Sequence, residues 1–209
     1  CFENDDIIHV SNKVDPLDDI DTINTELALS DLFSAEKAYQ KAIKNSKSGQ
    51  KEGLPLKNLL EKILPALEEG RAIRSLDFTE EEEKLVKGLQ LLTSKPVLYV
   101  ANVSENGFKN NPHLSALMNY ADNENSQVVA VCADIESEIA ELDDEDKQGF
   151  LDEMGQSESG LDRLIKAGYS LLGLQTYFTA GVKEVRAWTI NIGDSAPMAA
   201  GKIHGDFEK

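Results

Sequence analysis

The chain has 209 residues, of which 41% are hydrophobic and 28% charged, and its formal net charge at neutral pH is −17. This composition is typical of a globular protein with one sizeable domain or two small ones, and it excludes wholesale disorder. Because an acidic surface repels phosphate backbones on average, we expect no nonspecific binding to nucleic acid and no DNA partner.

Membrane and disulfide signals are absent from the sequence. No apolar run reaches the roughly 20 residues that a membrane-spanning helix needs, and no basic-then-apolar leader is visible. The two cysteines, Cys1 and Cys132, are far apart, which is typical of a reducing compartment. We therefore expect a cytoplasmic protein without membrane contact. Because the chain starts without an initiator methionine, we expect it to be an internal piece of a longer protein.

The chain opens with a strand-like segment and then becomes helical. Residues 1–20 combine an acidic turn, the short apolar stretch Ile7–Val10 and turn chemistry around Pro16. A helical pattern then begins with Leu17, Ile20 and Ile23. From residue 24 to 47 the pattern is that of a long helix, with apolar residues at spacings of four and three: Ala28, Leu32, Ala35, Tyr39 and Ala42. This spacing predicts the seam of a coiled-coil-like hairpin.

A second and a third helix should follow. After a polar break at residues 46–53, one apolar face is formed by Leu56, Leu59, Ile63 and Leu67, which predicts an antiparallel helical hairpin. Pro65 should kink or interrupt the second helix. Thr79 and Glu82 form an S/T-x-x-E capping box, so a third helix should begin there and run to about Leu92.

From residue 96 the pattern changes to alternating strands and helices. The continuous apolar run at 97–101 and the largely apolar run at 127–133 are typical of strands buried on both faces. Helical segments lie between and after them, at 112–123, 136–153 and 161–172. This order predicts a parallel sheet with covered faces. Two further strands at 175–179 and 184–192 should form a separate small β-containing module.

Both apolar strands are followed by polar loops. The first is followed by Asn102–Glu105, and the second ends in Cys132–Asp134. Ligands of open α/β sheets bind outside the carboxyl ends of the strands, so we expect both loops in one site. The Cys132 side chain itself suits a core position, and a redox-sensing thiol is the alternative.

The first loop has the pattern Asn-x-x-Glu, where P-loop GTPases have Asn-Lys-x-Asp. In those enzymes the Asp carboxylate accepts hydrogen bonds from two donors on the guanine edge, and adenine has an acceptor at one of these places. Glu105 is one methylene longer, and Val103 lacks the lysine stem that packs on the purine. Both changes weaken selection for guanine and leave backbone groups to read adenine. A capped loop end before the Asn106–Gly107 turn is the structural alternative.

Several stretches resemble the YchF/Obg-like ATPase family, in the order in which that family has them. They are Cys-Phe-Glu-Asn-Asp-Asp at the start and residues 14–16, 23–27, 96–133 and 139–142, followed by Leu-Gln-Thr-Tyr-Phe-Thr-Ala-Gly-Val-Lys-Glu-Val-Arg-Ala at 174–187. The last stretch is similar to the beginning of that family's TGS domain. The resemblance covers essentially the whole chain.

The resemblance implies an α/β P-loop G domain with an inserted α-helical, coiled-coil-like hairpin, followed by a small β-grasp-like TGS domain. This chain would hold the C-terminal half of the G domain (1–20 and 94–173), the helical insertion (21–93) and the start of a truncated TGS domain (174–209). The family prefers ATP to GTP. The positions that match its nucleotide base site are Asn102, Val103, Glu105, Cys132 and Ala133. Cys132 departs from the Ser-Ala pair usual in GTPases.

The phosphate-binding half of such a site is missing from the chain. No G-x-x-x-x-G-K-[ST] motif occurs. Because phosphoryl transfer depends on that lysine, Mg²⁺ and a positioned water, we expect no catalytic residue and no metal site here. The resemblance implies that Mg²⁺ binds with ATP to an N-terminal part, and that only the intact protein hydrolyses ATP.

Basic residues recur every three or four positions toward the tip of the helical hairpin: Lys37, Lys41, Lys44, Lys47 and Lys51. A solvated helix face explains this pattern, and contact with RNA or the ribosome is the alternative. Family members are associated with ribosomes, so the resemblance implies a ribosome, as the large subunit or a 70S-type particle, as a partner.

The remaining polar features have structural interpretations. Asp143–Asp146 is expected to be a solvated acidic loop, and Trp188 a core residue. The histidines His9, His113 and His204 have no companions at ligand spacing.

The predicted function is that of an ATP-binding, ATP-hydrolysing switch protein on the ribosome. Two alternatives stay open: a GTPase of the same class, and a nucleotide-independent ribosome or protein adaptor built on the hairpin and the TGS surface.

Overall fold

The structure is a computed structural model that describes residues 1–3, 13–47 and 53–208, with the side chain of residue 144 left aside. The apolar stretch Ile7–Val10, which includes His9, and Lys51 lie outside the described residues. The described elements, in chain order, are α1 Pro16–Lys47, α2 Gly53–Glu68, α3 Glu80–Leu89, β1 Leu98–Asn102, α4 Pro112–Asn123, β2 Gln127–Val131, α5 Ala133–Glu141, α6 Asp144–Glu153, α7 Gly160–Leu171, β3 Leu174–Ala180, β4 Val185–Asn191 and α8 Ala196–Ile203. Short 3₁₀ turns occur at Ile73–Ser75 and Gly205–Glu208.

The chain forms two compact units. The first contains Cys1–Val97 and Asn106–Ser126, and the second contains Leu98–Glu105 and Gln127–Lys209. None of the described helices has both the length and the apolar composition that a bilayer crossing requires.

Helices α1 and α2 of the first unit form the predicted antiparallel hairpin. Gly53 at the start of α2 lies beside Ser46 near the end of α1, and further along α2 Glu61 accepts a 2.7 Å hydrogen bond from the hydroxyl of Tyr39. The seam between them is buried as predicted, and its fully buried members include Ala28, Ala35, Ala42, Leu59, Ile63 and Leu67. Burial of each leucine or isoleucine contributes about 1.5–3 kcal/mol. Small residues on α1 and large ones on α2 let the helices approach closely.

Helix α1 begins at Pro16, immediately before Leu17, where the helical pattern begins in the sequence, since proline is well suited to the first turn of a helix. One detail of the hairpin differs from the sequence prediction. Of the two effects predicted for Pro65, a kink or an interruption, the interruption is wrong, because α2 continues to Glu68. Proline removes one backbone donor near the end of α2, and the residues that follow it, Ala66 and Leu67, are buried. Their packing holds the last turn in place.

A buried carboxylate attaches the segment after α3 to α1. Asp31 is only 2% exposed and accepts hydrogen bonds from the backbone N–H groups of Leu92 and Thr93, at 2.8 and 2.7 Å, and from the Thr93 hydroxyl at 2.7 Å. Charge-assisted bonds of this kind offset the cost of burying the charge. The predicted capping box at the start of α3 is confirmed, but the helix ends at Leu89, because Gln90 adopts a left-handed backbone conformation with φ 55°.

In the second unit, β1 and β2 pair in parallel, as predicted, with Asn102 opposite Val131. Helix α7 packs against both strands. The expectation that the strands are buried on both faces is wrong. In β1 Val100 is 50% exposed, and in β2 Val129 is buried whereas Val128, Ala130 and Val131 are only partly buried. In the described part of the chain this sheet has two strands, and a sheet this narrow leaves part of one face uncovered.

The predicted single helix at 136–153 is two helices, α5 and α6. The chain is extended at Leu142 and Asp143, and α6 begins immediately afterwards. The expectation of an acidic loop at Asp143–Asp146 therefore holds for Asp143 and is wrong for the residues that follow it. Acidic residues are favoured at helix N-termini because they complement the positive end of the helix dipole, and here they start a helix.

The last two strands form an antiparallel hairpin within a residue of their predicted bounds. Tyr177 lies opposite Trp188, and the Gly181 N–H donates to the Glu184 carbonyl at 2.9 Å to close the turn. Trp188 is partly buried, so the core interpretation holds only in part; its ring lies 4.2 Å from the Arg186 guanidinium.

Candidate nucleotide base site

The carboxyl ends of β1 and β2 meet at one edge of the parallel sheet. Asn102 and Val131 are the last residues of the two strands and lie opposite each other. The ladder extends one residue further, because the Val103 N–H donates to the Val131 carbonyl at 2.8 Å. The loops that begin at Val103 and Cys132 therefore leave the sheet side by side, as the order of strands predicts.

A side-chain hydrogen bond joins the two loops. The Oδ1 atom of Asn102 accepts from the backbone N–H of Ala133 at 3.1 Å. Ala133 is the first residue of α5, and the N-terminal N–H groups of a helix have no partner within the helix. Cys132, at the N-cap position, makes no side-chain capping bond. Asn102, at the end of β1, thus caps α5 and fixes the distance between the two loops.

Burial divides the predicted site residues into two groups. The side chains of Val103 and Cys132 are each 1% exposed and belong to the core, whereas Asn102, Glu105 and Ala133 are exposed. Val103 is buried as a whole residue, and its N–H is already bonded to the Val131 carbonyl. The Cys132 thiol is a free thiol and is buried, in agreement with its interpretation as a core residue.

Glu105 begins a turn that covers residues 105–108, three residues beyond the end of β1. Its exposed carboxylate lies beyond the part of the chain that is held by the Asn102–Ala133 hydrogen bond. The structure thus brings Asn102 and Val103 next to Ala133 and Cys132 and places Glu105 at the start of the adjoining turn. That these five residues bind a purine base stays a prediction.

Two residues that support this edge of the sheet could not be found from the sequence. Glu136, one turn into α5, accepts hydrogen bonds from the N–H groups of Gly160 and Leu161 at the start of α7. Arg163 in α7 donates to the carbonyl of Ala130 in β2 at 3.0 Å. No local pattern marks either contact, because the partners are 24 to 33 residues apart.

The predicted basic residues lie in the first unit, along the C-terminal half of α1. The side chains of Lys37, Lys41, Lys44 and Lys47 are all exposed and span about 15 Å along the helix axis. The Lys37 ammonium lies 4.0 Å from the centre of the Phe33 ring, which is itself 60% exposed. Lys44 and Lys47 also stabilise the helix by complementing the negative end of its dipole.

Among the residues that the structure describes, no group of three or more His, Cys, Asp or Glu side chains is arranged to hold a metal ion. The loops of the candidate base site offer two exposed carboxylates near the ends of the strands, Glu105 and Asp134, which is fewer than a metal-binding cluster needs. They do not fit a resident Mg²⁺, so we assign no chemical step to a metal held by this chain.

Comparison with known proteins identifies the family. The chain is 59% identical to a Haemophilus influenzae protein named Ribosome-binding ATPase YchF, over all 209 residues, and 54% identical over 212 aligned residues to the protein of that name from Bacillus subtilis. The chain belongs to the YchF family. It spans 58% of the length of each of these relatives.

Structural comparison agrees with the sequence comparison. The solved structure of the Schizosaccharomyces pombe YchF GTPase superposes with a TM-score of 0.85 at 32% identity, over 98% of this chain and 57% of that chain. A sequence model named YchF-GTPase_C, described as a protein of unknown function (DUF933), matches residues 174–209. The predicted fold class, an α/β protein of this family with its C-terminal module, is confirmed.

Proposed function

We propose that the intact protein binds and hydrolyses ATP with Mg²⁺ and acts as a nucleotide-dependent switch on the ribosome, in the cytoplasm. In this proposal the chain contributes the half of the site that recognises the base. The observation that carries the proposal is the hydrogen bond from Ala133 to Asn102, which fixes two strand-end loops next to each other. The names of the bacterial relatives, which describe ribosome-binding ATPases, support it.

The preference for adenine rests on the position and length of Glu105. A carboxylate near the purine favours guanine, which has donors on the edge where adenine has an acceptor. Glu105 is one methylene longer than the aspartate of GTPases, and Val103 lacks the lysine stem that packs on a purine. Recognition then falls to backbone groups of the loop, and N–H and C=O groups suit an edge that has one acceptor and one amino donor, as adenine has.

A competition experiment on the intact protein tests the preference. A fluorescent ATP analogue is displaced with ATP or GTP, in wild type and in Glu105→Asp. We expect ATP to bind more tightly to wild type, and Glu105→Asp to raise the affinity for GTP relative to ATP by at least about tenfold, the value of one hydrogen bond to a charged group. Ser104→Ala, at an exposed neighbouring position, should leave the ratio unchanged. Tighter binding of GTP to wild type would refute the account of Glu105.

A GTPase of the same class is the second candidate, favoured by the name of the similar Schizosaccharomyces pombe protein, which describes a GTPase. It predicts that GTP outcompetes ATP in the same titration and that Glu105→Asp changes the ratio little. The titration therefore separates the two candidates directly.

A nucleotide-independent adaptor is the third candidate, favoured by the exposed lysines of α1. It predicts that Lys41→Glu with Lys44→Glu weakens cosedimentation with ribosomes by about tenfold or more, with a smaller salt dependence. The matched control reverses two exposed lysines of α3, Lys84 and Lys87. If Asn102→Ala leaves every activity intact while the α1 double variant abolishes ribosome binding, the adaptor is correct and the switch is not.

A further inference from the structure

The start of α7 holds the base-side loop that contains Cys132 and Ala133. The Glu136 carboxylate, in α5, accepts hydrogen bonds from the backbone N–H groups of Gly160 at 2.6 Å and of Leu161 at 3.1 Å. These N–H groups are at the positive end of α7, where a carboxylate is favoured both by hydrogen bonding and by the helix dipole. The Glu136 N–H in turn donates to the Cys132 carbonyl at 3.0 Å, which connects this contact to the loop.

A second contact from α7 lies on the other side of the same loop. The Arg163 guanidinium donates to the carbonyl of Ala130, two residues before Cys132, at 3.0 Å. It is held in place by bonds to the Gln156 side chain at 3.1 Å and to the Glu158 carbonyl at 2.9 Å. The base-side loop is therefore attached to α7 at both ends: through Ala130, which precedes the loop, and through Glu136, which follows it.

The start of α7 packs closely against Glu136 and the end of β2, with no room for a side chain at Gly160. A Cβ atom added to Gly160 would lie 2.7 Å from Glu136 Oε1 and 3.1 Å from Val131 Cγ1. The Val131 carbonyl also accepts the N–H of Val103, from the first loop. A movement of α7 would thus be transmitted to both loops of the candidate base site.

We propose that Glu136 is a positioning residue for purine binding. By fixing the base-side loop to the start of α7, together with Arg163 on the other side, it holds Cys132 and Ala133 in the conformation that receives the base. Preorganisation of this kind raises affinity, because the loop does not have to be ordered when the ligand binds. The proposal rests on the proposed nucleotide site, and Glu136 itself touches no nucleotide.

The test compares ligands with and without a base on the intact protein. Affinities for ATP and for inorganic tripolyphosphate are measured by displacement of a fluorescent ATP analogue, in wild type, Glu136→Ala and Glu136→Gln. We expect Glu136→Ala to weaken ATP about tenfold, since two bonds to a charged group are lost, and to leave tripolyphosphate unchanged. Glu136→Gln retains one acceptor oxygen and should recover part of the ATP affinity. Glu138→Ala, an exposed residue of the same helix, should bind both ligands as wild type does.

Each other result contradicts the proposal in a recognisable way. Unchanged ATP affinity in Glu136→Ala would show that the contact does not position the loop. An equal loss for ATP and tripolyphosphate would show a general loss of structure. Melting curves of Glu136→Ala and Arg163→Met would reveal such a loss independently of the ligands. If wild type binds ATP no better than tripolyphosphate, the base site itself is refuted, and the proposed function fails along with its positioning residue.

Discussion

Replacement of Asn102 tests whether one side chain joins the two loops of the base site. Asn102→Ala removes the acceptor of the 3.1 Å bond from the Ala133 N–H. Such a bond contributes about 0.5–1.5 kcal/mol, and because the side chain is exposed, water replaces part of it. The lower half of this range corresponds to a loss in affinity for ATP of about two- to fivefold.

Asn102→Asp separates the role of the acceptor from that of the amide. Aspartate retains an oxygen for the Ala133 N–H, and its charge is favoured at the positive end of α5, so it should keep the affinity within about twofold of wild type. The assay is isothermal titration calorimetry of ATP on the intact protein, with Ser104→Ala as the control in the same loop. The reasoning is refuted if Asn102→Ala binds ATP as wild type does, or if alanine and aspartate are equally weak.

Three further predictions concern stability. Asp31→Ala leaves buried donors without a partner and should lower the unfolding free energy by about 3 kcal/mol in urea denaturation, whereas the exposed Glu36→Ala should change it by less than about 0.5 kcal/mol. The hydrogen bond from the Thr79 N–H, and then the one from Lys62, hold the pKa of Glu82 below its ordinary value of 4.5. The ionised Glu82 therefore contributes to folding stability above pH 4.5, and this contribution is lost as the pH falls through the lowered pKa. Glu82→Gln should show a flatter dependence of melting temperature on pH in that acidic range. Gly53→Ala places a methyl group 2.5 Å from the backbone of α1 and should destabilise by about 2 kcal/mol, whereas Gly88→Ala, in open space on α3, should stabilise by about 0.5–1 kcal/mol in the same denaturation assay.

Local patterns accounted for most of the elements. The apolar spacing along α1 and α2 predicted the hairpin, because the seam must face one partner along its whole length. The Thr79–Glu82 box predicted the start of α3, because both of its bonds are formed within four residues. The two apolar strands and their parallel pairing followed in the same way.

The wrong predictions concern points at which packing overrides local preference. The apolar face predicted for α2 already included Leu67, beyond Pro65, so the expectation of an interruption gave too much weight to the local preference of proline and too little to burial of the residues after it. The break between α5 and α6 was missed because Asp143 suits both a loop and a helix start. The exposure of Val100 depends on how many strands lie in the sheet, which its own apolar neighbours do not encode.

The sequence alone determined which residues follow the strands, and hence which side chains are candidates to contact a base. Only the tertiary structure decided that Asn102 reaches Ala133, 31 residues away, and that Glu136 holds the start of α7. The physical reason is register: two parallel strands place their ends together only in one alignment, and a shift by one residue would turn each side chain to the other face. That alignment is fixed by packing over the whole unit.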